Sequence, residues 1–238
     1  MTPFAAFLAG ALASVTGFGI GSLLTPVLAL TVDTRVAVAA VSIPHLAGTA
    51  LRFWMLKGHV DRTVFWRFGL MSAAGGLGGA LLHTQASAPA LTILFGALLL
   101  FVALSEWRGW SRRLRFTGPA AWAAGATSGL LGGLVGNQGG IRSAALLGFD
   151  LKRDAMIATA TAVGLVVDAA RMPVYFALYR DEIAGLAEPI AVATVAVLAG
   201  TVAGRHILSR IPEHWFRRIL ACVLAALGSL MVVRGWTE

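Results

Sequence analysis

Charged residues are scarce in this sequence. Asp, Glu, Lys and Arg make up 13% of its 238 residues, about half of the roughly 25% a soluble domain carries. That shortage excludes a water-facing globular surface and a soluble nucleotide-binding enzyme, and the high apolar content excludes a disordered chain. Cysteine is nearly absent. The single copy, Cys222, sits in an apolar run, which excludes an intrachain disulfide, a secreted disulfide scaffold and a cysteine metal cluster. Acidic residues number 11 against 19 basic ones. The resulting charge of +8 is dispersed between apolar stretches, which argues for loops held on the cytoplasmic side of a membrane and against a nucleic-acid partner. The N-terminus carries no charged leader region or cleavage site and is read as part of the mature protein.

What is abundant is apolar. Hydrophobic residues make up 58%, the mean hydropathy is +0.79 and there are 28 glycines. These values imply an all-α, polytopic integral membrane protein with closely packed helices. A bilayer core takes about 20 apolar residues per helix. Six stretches qualify directly: 36 to 56, 65 to 83, 89 to 107, 155 to 178, 189 to 207 and 215 to 234. Two more, 4 to 30 and 119 to 148, are interrupted by glycine, at Gly17, Gly19 and Gly21 and at Gly136, Gly139 and Gly140.

Shifting the chain on itself by 119 residues lays Gly10 on Gly129, Gly17 on Gly136, Gly21 on Gly140 and Arg52 on Arg171, and an offset of 125 lays Gly75 to Gly79 over Gly200 to Gly204. Two related halves follow, 1–110 and 119–238, joined by a basic cytoplasmic connector at 111–118. Lysine and arginine then test the topology. If all eight stretches cross, the two faces hold nine and seven basic residues; if the glycine-broken stretches dip in and return, they hold thirteen and three. The second arrangement gives two inverted repeats, each with a re-entrant helical hairpin and three transmembrane helices. Residues 4 to 16 make about 20 Å of helix, enough to pass the midplane without crossing. Non-helical backbone at that depth needs protein or a wet cavity around it, so the tips are the expected binding site.

These residues resemble the sulfite exporter TauE/SafE family, also called the sulfonate uptake permease family. The likeness covers nearly the whole chain. It rests on a glycine-rich motif followed by proline, here Gly17 to Pro26, then an apolar helix and Lys57-Gly58-His59-Val60-Asp61; the second half repeats the glycine motif from Gly129 to Gly140. Ile20 replaces a family glycine, and Asn137-Gln138 stands at the second tip with no proline after it. The resemblance implies a bacterial inner-membrane, multi-pass carrier of small, often sulfur-containing anions, driven by the proton-motive force.

Candidate site residues follow from chemistry. Exposed N–H groups at half-helix starts would coordinate an anion at Gly17, Gly19, Gly21, Gly136, Gly139 and Gly140, unless these glycines serve helix packing alone, the reading favoured for Gly75 to Gly79 and Gly200 to Gly204. Asn137 and Gln138 are amides that must find partners at depth, either the substrate or the opposite hairpin. Arg142 is the leading cation, because a guanidinium clamps an oxyanion and its burial is costly. Arg52 and Arg171 are matched candidates; Arg52 can alternatively snorkel, and Arg171 can pair with Asp168 three residues earlier. Asp168 and His45 are the proton-coupling candidates. Ser22, Thr25, Ser42 and Thr49 can line a path or bond their own helix.

The histidines lack metal-ligand spacing, so no metal or cofactor is assigned. The expected partners are a small anion, protons, the bilayer and a second copy of the chain. Two alternatives stand beside a secondary transporter of sulfite or organosulfonates: an anion channel or carrier of small carboxylates, and a membrane-embedded enzyme, for which no catalytic dyad or carboxylate pair is present.

Overall fold

The computed structural model describes residues 3–17, 19–109, 118–136, 139–146, 149, 151–208 and 213–237. The expected tip amides Asn137 and Gln138, and all of the basic connector except Gly118, lie outside the described residues. Described secondary structure is entirely helical. In chain order the helices are α1 (Pro3–Thr16), α2 (Ile20–Ala29), α3 (Thr34–Leu56), α4 (Arg62–Val64), α5 (Leu70–His83), α6 (Ala88–Arg108), α7 (Pro119–Val135), α8 (Gly139–Leu146), α9 (Arg153–Leu178), α10 (Arg180–Gly185), α11 (Ala187–Leu208) and α12 (Glu213–Thr237).

Local chemistry sets many of these bounds. Asp33 caps α3 by accepting from the Arg35 N–H at 2.7 Å, and α6 starts at a Ser87 cap with Pro89 in its first turn and stops where Gly109 turns left-handed. The two glycine breaks open at residues with positive φ: Gly17 (80°) and Gly19 (133°) after α1, and Gly136 (73°) after α7. Such backbone is costly for any residue with a Cβ, which is why two apolar stretches long enough to cross become pairs of shorter helices. In each pair the two limbs pack on one another, α1 on α2 and α7 on α8.

Among the described residues, five helices are long and apolar enough to cross a membrane: Thr34–His59, Ala88–Arg108, Asp154–Leu178, Ala187–Gly204 and Arg218–Thr237. The sixth expected stretch, 65 to 83, differs. There α4 runs through a π turn at Phe65–Gly69 into α5, so the helical path from Arg62 to His83 is continuous but changes register near its start.

Helix packing comes in matched sets. Helix α1 lies on α11 and α7 on α5, while α6 pairs with α12 and α3 crosses α9. Glycine makes the close approaches. A Cβ on Gly10, Gly200 or Gly204 would overlap backbone across the α1–α11 seam, and one on Gly75, Gly79, Gly129 or Gly133 would do so across α5–α7. Gly96 and Gly228 face each other reciprocally between α6 and α12, where a Cβ on either would lie 2.7 or 2.9 Å from the other's carbonyl oxygen. Gly75, Gly79, Gly200 and Gly204 thus act in packing. Large apolar side chains such as Leu70, Leu81, Phe101, Val195, Val202 and Val233 point outward, the reverse of a water-soluble core.

Candidate functional site

Where α3 crosses α9, polar side chains meet in the interior. On α3, His45, Thr49 and Arg52 recur at helical spacing on one face; on α9, Thr161, Gly164, Asp168, Arg171 and Tyr175 do the same. Apart from Gly164, which has no side chain, all are among the buried residues. The breaks close in from the sides: Gly21 is pressed so near the Gly136 carbonyl oxygen that a Cβ could not fit, and Gly136 itself lies beside Arg171 and Thr25.

Each broken helix ends on an arginine. Arg52 Nη1 donates to the Ala13 carbonyl at 2.7 Å, and its Nε donates to Thr161 Oγ1 at 3.0 Å. Arg171 Nη1 donates to the Gly132 carbonyl at 2.5 Å. The same two carbonyls also accept from the N–H groups of Gly17 and Gly136, at 2.9 and 3.0 Å. The last carbonyls of a helix lack intrahelical donors and carry the negative end of its dipole, so a guanidinium is favoured there on both counts. Arg52, for which the sequence offers substrate binding or snorkelling toward the interface, turns inward and caps α1.

The α7 end is held further. Tyr175 Oη donates to the Gly133 carbonyl, and His83 Nδ1 lies 2.6 Å from the Leu134 carbonyl. Three successive carbonyls therefore take side chains from α9 and α5. The sequence reading singles out neither Tyr175 nor His83; the available signals were that Tyr175 follows Arg171 by four residues on one face and that His83 closes an apolar helix.

The expected proton-coupling pair is brought together. His45 Nδ1 and Asp168 Oδ2 are 2.7 Å apart, and Asp168 Oδ1 accepts from Arg171 Nε at 2.9 Å and Nη2 at 2.8 Å. One carboxylate thus serves an imidazole from α3 and a guanidinium from its own helix.

Arg142, on α8, is 2% exposed, and among the described residues its Nε and Nη1 have no hydrogen-bond partner. It lies within electrostatic reach of Asp168, Arg171 and Arg52. Thr49 Oγ1 and Thr25 Oγ1 are likewise buried and unpartnered. Among the described residues, the buried charges are three arginines against one aspartate. Buried donors without acceptors cost about 1–3 kcal/mol each and more when charged, and a group presenting several acceptor oxygens would satisfy them.

The remaining candidates lie around that cluster at different distances. A Cβ on Gly17 would meet Ile157 and one on Gly19 its own α1, and their positive φ values shape the first break. Gly139 and Gly140 open α8, the helix that carries Arg142.

A model of the family described as Sulfite exporter TauE/SafE matches residues 3–231. No curated protein and no solved structure matches the chain.

Proposed function

Since the chain belongs to the sulfite exporter TauE/SafE family, and is therefore a multi-pass membrane transporter and no enzyme, we propose that it is a secondary carrier of sulfite or organosulfonates coupled to proton movement. The observation that carries this reading is Arg142, a buried guanidinium with two nitrogens unpartnered beside the equally unpartnered Thr49 hydroxyl. An oxyanion supplies what those donors lack.

In this reading Arg142, Thr49 and Thr25 bind the anion, with the tip amides Asn137 and Gln138 as further candidates. Gly21 and Gly136 let the two breaks approach. His45 and Asp168 exchange the coupled proton, since imidazole titrates near neutral pH and its partner is the one buried carboxylate among the described residues. Arg52 and Arg171 hold the helix ends.

The same reading takes the halves 1–110 and 119–238 as inverted repeats whose hairpins enter from opposite sides. The thirteen-to-three distribution of basic residues and the equivalent arginine caps support it. The protein would sit in a bacterial inner membrane with the basic connections inside, and a homodimer is the assembly to test by cross-linking.

The deciding experiment is uptake of radiolabelled sulfite into proteoliposomes with and without a pH gradient, with sulfonates, thiosulfate and small carboxylates as competitors. Saturable, gradient-stimulated flux that Arg142→Gln abolishes is expected. Absence of flux with all these anions overturns the reading, and non-saturating flux without counterflow replaces the carrier with a channel.

A further inference from the structure

The offset of 119 residues that aligns the glycine breaks also carries His45 onto Gly164 and Thr49 onto Asp168. The hydrogen bonds follow the offset: Arg52 to Ala13 and Arg171 to Gly132 each span 39 residues. Two copies of one polar arrangement therefore face each other across α3 and α9, and they differ at two positions, His45 against Gly164 and Thr49 against Asp168. Around Asp168 the arrangement is complete, with the carboxylate held between His45 and Arg171. Around Thr49 the carboxylate is missing.

The ground left free by Gly164 is filled by Arg142. A Cβ on Gly164 would lie 3.1 Å from Arg142 Nη1, 3.5 Å from Nη2 and 3.4 Å from Thr49 Cγ2. Arg142 thus stands in this copy where the imidazole of His45 stands in the other. Among the described residues its Nε and Nη1 and the Thr49 hydroxyl have no partners, and Arg142 and Arg52 are close enough to repel one another.

We propose that the bound anion takes the place of the carboxylate that Thr49 lacks, lying between Arg142 and Arg52 with the Thr49 hydroxyl as a further donor, as Asp168 lies between His45 and Arg171. This rests on the anion-carrier reading and gives it a position and a ligand class: a small oxyanion presenting at least two oxygens on one atom, whether sulfite, sulfonate or carboxylate. A carboxylate built into the chain at position 49 fills the site from within.

The test is binding of radiolabelled sulfite to the purified full-length protein, together with thermal stability measured with and without sulfite. Thr49→Asp is expected to bind sulfite at least about tenfold more weakly, to unfold at higher temperature than the wild type without anion, and to gain no stability from it. Thr49→Asn, of the same size but uncharged, stays within about threefold of wild type. Retained binding in Thr49→Asp, or equal losses in the Asp and Asn variants, overturns the proposal. If Thr49→Asp does not fold, Thr49→Val carries the test: it keeps the shape, removes the hydroxyl and is expected to weaken binding about three- to tenfold, whereas unchanged affinity overturns the proposal. A folded wild type that binds neither sulfite nor any competing anion overturns the carrier reading as well; binding lost on Arg142→Gln but kept in Thr49→Asp overturns this placement alone.

Discussion

His45 and Asp168 meet at 2.7 Å, tying α3 to α9 across 123 residues of chain. Both are buried and the carboxylate also carries Arg171, so the contact is the hinge between a titratable group and the cap on α7. Removing the carboxylate charge leaves Arg171 buried beside uncompensated surroundings. Asp168→Asn is expected to cost about 3–5 kcal/mol, read as a large fall in melting temperature or a loss of monodisperse protein on size-exclusion chromatography. His45→Gln keeps a hydrogen-bonding partner for Asp168 and is expected to fold, yet to transport at a rate indifferent to the imposed pH gradient.

Arg52 and Arg142 should separate cleanly in stability. Arg52 bonds the end of α1 as well as flanking the anion, so Arg52→Gln is expected to destabilise the protein by about 1–3 kcal/mol and to raise KM in the protein that folds. Arg142 holds two unpartnered nitrogens, so Arg142→Gln is expected to leave the anion-free protein as stable as wild type or more so, while eliminating saturable flux. Differential scanning fluorimetry and proteoliposome uptake on the same preparations distinguish the two.

The contact between the breaks is sensitive to a single methyl group. A Cβ on Gly21 would overlap the Gly136 carbonyl oxygen, whereas one on Gly58 meets nothing within 4 Å. Gly21→Ala is therefore expected to destabilise the protein by about 1–3 kcal/mol and to impair uptake. Gly58→Ala is expected to be silent in both assays.

At the head of α3, Asp33 is subject to burial, which raises its pKa, but the Arg35 hydrogen bonds outweigh it and hold the carboxyl below its ordinary value. The sign follows: its contribution is present above the ordinary carboxylate range and is lost as the pH falls through the lowered pKa. Asp33→Ala is expected to cost about 1 kcal/mol at neutral pH through loss of the cap. The difference from wild type should vanish in strong acid, as thermal melts across pH would show.

The helical plan was largely legible because apolar run length and glycine placement determine it directly. The match of Arg52 to Arg171 was legible for a similar reason: equal chemistry at equal spacing survives in the sequence. The partners of these arginines were not. Ala13, Gly132, Gly133 and Leu134 act through carbonyl oxygens, which every residue possesses, so nothing in the letters marks them. His45 and Asp168 were legible singly, as ionisable groups inside apolar spans, but their contact depends on how α3 crosses α9. Arg142 stood out by its cost of burial; that it lacks partners appears only once the space beside Gly164 is seen.

The unpartnered guanidinium of Arg142 bears on speed as well as affinity. A carrier must bring its site back after release, and a return made empty carries this cation buried with two nitrogens lacking hydrogen-bond acceptors among the described residues. A return made with an anion aboard avoids that barrier. Exchange of labelled for unlabelled sulfite is therefore expected to outpace net efflux, and anion added to the receiving side should accelerate release.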